Sequence, residues 1–230
     1  MTIQLVVFDM AGTTVDDRGV VNRCFRETLA QNGLAVRPEA VDAVMGLRKP
    51  DAFRAILGQT PSPLAAALLE KIDIIHADFV ERMIDFYTDD PEVREVPGTS
   101  ALFRFLKEEG VKITLDTGFS RDIADTILER LGWIKNGFID ASVTSDEVVN
   151  ARPYPDMINK LMSECGITDS KSVAKVGDAP ADLEEGFAAR CRWVIGVTWG
   201  THTRAQLERW PYTHLVDRVD ELKELFEAHS

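Results

Sequence analysis

With 230 residues and 45% apolar content, the chain is long enough to bury a full core, either alone or with one small inserted domain. Its formal net charge of -12 argues against nucleic acid and anionic membrane surfaces as partners, because both are bound through clustered Lys and Arg. The cysteines Cys24, Cys165 and Cys191 show neither CxxC nor zinc-ligand spacing, and no apolar run approaches the roughly 20 residues that span a bilayer, which disfavours a disulfide framework, a zinc site and a membrane span.

Residues 1–8 lack a basic segment followed by a signal-length apolar stretch, so a reducing cytoplasmic setting is expected. Residues 5–8, Leu-Val-Val-Phe, lead into Asp9 and a Gly12-Thr13-Thr14 turn, the pattern of a buried parallel strand feeding a loop. Helix-like segments follow at 21–31, 38–44, 51–57 and 63–87 with no convincing strand among them, and an inserted helical cap over 16–94 is expected. Its return lies at 91–97, a charged stretch with two prolines before Gly98 that suits a linker.

Beyond residue 95 the periodicity alternates. Amphipathic stretches at 99–109, 121–131, 155–165 and 180–189 each open on a Thr, Ser or Pro start signal at or just before the first residue. Between them lie apolar runs at 111–115, 172–176 and 193–197, followed in turn by Asp116-Thr117-Gly118, Gly177-Asp178 and Thr198-Trp199-Gly200. This alternation predicts an α/β core, a doubly wound, Rossmann-like parallel sheet built from 1–15 and 95–230. In such sheets ligands bind at the carboxyl ends of the strands, where Asp9, Thr117 and Asp178 all fall. Carboxylates and a hydroxyl at strand ends, with a cation, form a plausible phosphoryl-transfer site.

Asp9-Met10-Ala11-Gly12-Thr13, Thr117-Gly118, Arg152 and Gly177-Asp178-Ala179-Pro180-Ala181-Asp182 occur in the motif order of the haloacid dehalogenase superfamily, which this chain resembles over almost its whole length. The resemblance implies a hydrolase with Asp9 as nucleophile and Mg²⁺ held by Asp9, the carbonyl of Ala11 and Asp178. It further implies that Thr117, Arg152 and the backbone around Gly12, Thr13 and Gly118 hold phosphoryl oxygens. Asp182, about one helical turn past Asp178, is expected to support the metal from behind or through water.

Most phosphatases of that superfamily carry a second Asp two residues after the nucleophile to protonate the departing alkoxide, and this chain has Ala11 there. The Asp-x-Ala-Gly-Thr pattern, Arg152-Pro153-Tyr154-Pro155 and Met45-Gly46-Leu47-Arg48-Lys49 are similar to the phosphonoacetaldehyde hydrolase branch. That resemblance implies cleavage of a carbon–phosphorus bond through an imine on Lys49, with Met45 against the substrate. It also implies dimerisation through the cap helix at 21–31. Lys49 beside Pro50 reads as a helix start, where the dipole and enclosure both favour the neutral amine, while Asp51 opposes them.

Three positions depart from the branch: Ala52 where it has His, Phe119 where it has Tyr, and Gly19 or Val20 near its cysteine. Rival readings are a phosphatase acting on another small phosphorylated metabolite, a haloacid dehalogenase, and a binding module that has lost catalysis. A small phosphonate or phosphate is the expected substrate. His76, His202, His214 and His229 share no pattern, and none is expected to be catalytic.

Overall fold

A computed structural model describes residues 2–228. Six strands, β1 (Leu5–Asp9), β2 (Lys112–Thr117), β3 (Ala141–Thr144), β4 (Val173–Gly177), β5 (Trp193–Val197) and β6 (His214–Val216), form one parallel sheet in the order β3-β2-β1-β4-β5-β6. The order reverses between β1 and β4, the switch point at which doubly wound sheets bind their ligands. Asp9 and Asp178 stand there.

Side-chain alternation along each strand sends residues to two separate cores. Leu5, Val7, Val173 and Val194 pack on one face beneath α8 (Asp156–Glu164) and α9 (Pro180–Ala188), while Val6, Phe8, Leu115, Val176 and Ile195 pack on the other beneath α6 (Thr99–Glu108), α7 (Arg121–Leu131) and α11 (Val219–Glu227). A one-turn helix, α10 (Arg204–Leu207), precedes β6. The apolar runs and amphipathic stretches read from sequence coincide with β1, β2, β4, β5 and α6 to α9. Strands β3 and β6 escape that reading because they are short edge strands, half-buried at their first residues, and never form an apolar run.

Between Val15 and Glu95, which pair antiparallel, the chain makes five helices and no strand: α1 (Val20–Gln31), α2 (Pro38–Asp42), α3 (Lys49–Gln59), α4 (Pro63–Leu69) and α5 (Ile72–Asp89). The two connecting segments are clasped by backbone hydrogen bonds from Asp16 N to Arg94 O (3.1 Å) and from Val96 N to Thr14 O (2.9 Å). Phe25 and Phe53 stack at 3.7 Å between centroids, and Phe79 meets both edge-on at 5.7 and 5.8 Å. This aromatic cluster is continuous with the core on the Phe8 face of the sheet, so the helical segment is seated against the sheet.

The single stretch expected over 63–87 is two helices. The chain turns at Glu70–Lys71, so that α4 lies along α3 while α5 packs across α1, α3 and α7. In sequence, two charged residues within an apolar helical pattern look like a solvent-facing stripe, which hides the turn. Among the described residues, no helix is long and apolar enough to cross a membrane.

Candidate active site

Buried β1 delivers Asp9 to the carboxyl edge of the sheet, and Gly12 then turns the chain back with φ +88°, a left-handed conformation that glycine adopts without steric cost. A side chain at Gly12 would also collide with the Asp178 carboxylate, so this glycine is what lets the loop close over that acid. Thr14 anchors the loop through its hydroxyl to Asp9 O (2.9 Å), and Trp199 Nε1 donates to Thr13 O (3.0 Å). Asp178, just beyond β4, accepts from Thr201 N (2.6 Å), with the Thr13 hydroxyl at 3.4 Å.

Asp9, Asp178 and Asp182 present buried carboxylate oxygens all within 4.8 Å of one another. Burial first, then the neighbouring acids, push Asp9 up to about 6 and Asp178 up to about 8. Buried carboxylates outnumber buried cations around the site: Asp9, Asp116, Asp178, Asp182 and Glu185 face Lys49, Arg152 and Lys175. Burial and Asp116 also raise Glu185 well above its ordinary value. A cluster of carboxylate oxygens this close together suits a hard divalent cation, and the residues present fit such an ion.

Arg152 is the hub of that cluster. Its Nη1 lies 2.7 Å from Asp9 Oδ1 and 3.0 Å from Asp182 Oδ1, its Nε donates to Glu185 (2.9 Å), and its Nη2 is bonded to Asp116. Lys175, fully buried inside β4, pairs with Asp116 and sits 3.0 Å from Asp182 and 3.4 Å from Glu185. Both cations stay charged, because the surrounding acids outweigh their desolvation. Asp182 therefore does two things: Oδ1 faces Arg152 and Lys175, while Oδ2 accepts from Ala179 N (3.2 Å) at the start of α9.

Lys49 enters from the helical segment as the first residue of α3, only 4% exposed, with its ammonium 5.0 Å from the centroid of the Phe119 ring. Burial lowers its pKa to about 8, and Asp9 is the chief group resisting that shift. The opposing anion expected from sequence, Asp51, instead points outward and pairs with Arg54 (2.9 Å) on a half-exposed surface. Asp9, Lys49, Met45, Thr117, Gly118 and Asp178 line one cavity of about 20 Å³, room for roughly one water. The segment 46–47 forms its roof: a side chain at Gly118 would strike Leu47 O, and one at Gly46 would come within 3.0 Å of Ala179.

Of the site residues expected from sequence, Asp9, Ala11, Met45, Lys49, Thr117, Gly118 and Asp178 line the cavity, Arg152 and Thr13 are bonded to its Asp9 and Asp178, Asp182 stands within 4.8 Å of both acids, and Gly12 lies against Asp178 outside the cavity. Arg48 is half-buried, and His229 lies outside the described residues. Sequence reasoning missed Lys175, Asp116, Glu185, Thr201 and Asp17. Lys175 was the most discoverable, a lone charge inside the apolar strand Val-Ala-Lys-Val-Gly, which a buried strand tolerates only with partners.

A family model described as haloacid dehalogenase-like hydrolase matches residues 3–190. Phosphonoacetaldehyde hydrolase of Bacillus cereus is 30% identical over 243 residues, covering 98% of this chain and 89% of that protein. A phosphonoacetaldehyde hydrolase-like protein from Oleispira antarctica superposes with a TM-score of 0.84 at 22% identity, over 99% of this chain and 92% of that one. A mutant of CbbY from Rhodobacter sphaeroides, solved with xylulose-(1,5)bisphosphate, gives 0.79 at 22% identity, over 96% of each chain. The last two likenesses show a shared fold.

Proposed function

The chain belongs to the haloacid dehalogenase-like hydrolases, in their phosphonatase-like branch, and we propose that it hydrolyses the carbon–phosphorus bond of phosphonoacetaldehyde to acetaldehyde and phosphate. The observation that carries this reading is Lys49: a buried amine, its pKa brought down toward neutrality, in the same small cavity as the Asp9 carboxylate. A lysine that only bound anions would be served better by full charge, whereas an imine-forming lysine must lose its proton.

The neutral amine of Lys49 adds to the aldehyde carbon, and loss of water leaves an iminium. The C–P electron pair then moves into the adjacent carbon–carbon bond as the iminium electrons return to nitrogen, giving an enamine while the phosphoryl group passes to Asp9. No alkoxide departs, which is why Ala11 is acceptable where a phosphatase needs an acid. Water releases phosphate from Asp9, and protonation and hydrolysis of the enamine release acetaldehyde. Arg152, 2.7 Å from Asp9, orients the nucleophile and favours its anionic form against burial.

Mg²⁺ would be held by Asp9, Asp178 and the carbonyl of Ala11, and when bound it offsets the charge that repels a carboxylate from an anionic phosphoryl group. Thr117 and the backbone of Gly118 would receive the phosphoryl oxygens, whereas the amides expected from Gly12 and Thr13 are engaged within their own loop, Gly12 N donating to Val15 O (2.9 Å) and Thr13 N to Met10 O (3.2 Å). A cavity that holds one water cannot admit this substrate, so the helical segment swings on the connecting segments at Val15 and Glu95 to load it and closes for chemistry. We place the protein in the cytoplasm.

Cyanoborohydride added with phosphonoacetaldehyde and Mg²⁺ is expected to inactivate the enzyme and leave a reduced two-carbon adduct on Lys49, identified by peptide mass. Turnover with no adduct, or turnover retained in Lys49→Ala, would remove the imine and favour a phosphatase.

A further inference from the structure

Forming and breaking an imine requires an acid and a base beside the amine, because hydroxide is expelled from the carbinolamine only as water. Of the carboxylates lining the cavity with Lys49, Asp9 is held by Arg152 and Asp178 by Thr201 and Thr13, and both belong to the oxygen cluster. The third is Asp17.

Resting on the imine reading above, we propose that Asp17 is the proton-transfer residue of the Lys49 imine chemistry. It stands two residues beyond Val15, on the same helical segment as Lys49, and the two line one cavity without an ion pair between them, so a proton passes from one to the other through the water that the cavity has room for. Its carboxylate is oriented by two backbone donors at the start of α1, Oδ2 accepting from Gly19 N and Oδ1 from Val21 N, each at 3.1 Å. Each oxygen keeps acceptor capacity after that bond. Asp17 also lines a second, larger cavity of about 510 Å³ beside Asp16, Arg18 and Asn22, so it stands between the Lys49 cavity and an outer pocket from which protons and water can be exchanged. Burial raises its pKa, against the two backbone hydrogen bonds from Val21 and Gly19 and then the Lys49 charge.

The proton account balances. Asp17 as carboxylate takes a proton from the Lys49 ammonium through that water, and the freed lone pair forms the C–N bond as the carbonyl π pair moves to oxygen. A proton passes from nitrogen to that oxygen to give the carbinolamine. Asp17 as acid then protonates the hydroxyl, the C–O bond breaks, water leaves and the nitrogen lone pair closes the iminium. Asp17 is a carboxylate again.

The test compares the rate of cyanoborohydride trapping at Lys49 in the wild type, Asp17→Asn and Asp17→Ser, both chosen because they retain an oxygen that can accept from Gly19 and Val21. Trapping is expected to fall about 10²-fold or more in each variant. Added formate, entering through the outer pocket, is expected to restore part of the rate in Asp17→Ser. Melting temperatures within a few degrees of the wild type would show that the variants are folded. Wild-type trapping with unchanged rates in both variants overturns this inference and leaves the imine standing. Slow variants that formate cannot restore would make Asp17 an orienting residue and also overturn it. Failure of the wild type to trap at all removes the imine reading, and this inference with it.

Discussion

Lys49 is held by two opposed influences, and their balance sets when it can react. Burial disfavours its charge and brings its pKa down to about 8, while the anionic neighbours Asp9, Asp17 and Asp178 resist. Only the neutral amine attacks an aldehyde. The trapping rate should therefore rise about tenfold per pH unit below about 8 and level off above it, whereas an ordinary lysine would keep rising to about 10.4. Mg²⁺ bound at Asp9 would cancel the strongest anionic support and move the midpoint lower. A profile still climbing at the ordinary lysine value would mean that the amine is solvated during reaction. At this scale sequence was informative about Asp9, Lys49 and Asp178, which lie in contiguous motifs. It was silent about Asp116 and Glu185, which matter only because folding puts them against Arg152 and Lys175.

The roof over the cavity is one short turn, and its closure depends on missing side chains. Leu47 O would meet any side chain at Gly118, and Gly46, at φ +82°, sits close over Ala179 and Ala181. Gly118 itself has no positive φ, so alanine there leaves its own backbone unstrained and obstructs only the closed arrangement. Gly118→Ala is expected to keep a melting temperature near that of the wild type and to lose turnover by about 10²-fold, the scale of a 1 Å misplacement of reacting groups. Small-angle scattering should show a larger radius for the variant. Normal turnover in Gly118→Ala would mean that the roof need not close on the core. The helices of this segment were legible from their apolar spacing, but the break at Glu70–Lys71 was not, because a charged pair on an amphipathic helix has the same signature whether it faces solvent or makes a turn.

For the whole molecule, the sheet order was not readable residue by residue, yet the alternation of apolar runs and amphipathic stretches was enough to imply a doubly wound sheet and so to place the site at its carboxyl edge. The edge strands β3 and β6 stayed hidden because edges are only partly buried and carry little hydrophobic signal. The outward residues of α1, Arg23 and Glu27, pair with each other at 3.9 Å, while Phe25 and Leu29 pack inward; a dimer through this helix, which we propose from the branch it resembles, would meet on polar surface. What the molecule as a whole is proposed to do rests on one core acid and one amine from the helical segment meeting in a metal-loaded site. The most direct test is simultaneous measurement of phosphate and acetaldehyde from phosphonoacetaldehyde with Mg²⁺. Equimolar release, abolished by Asp9→Asn, by Lys49→Ala and by a chelator, is the predicted result. Release of neither product by the folded, Mg²⁺-loaded wild type, or release that survives Lys49→Ala, would contradict it.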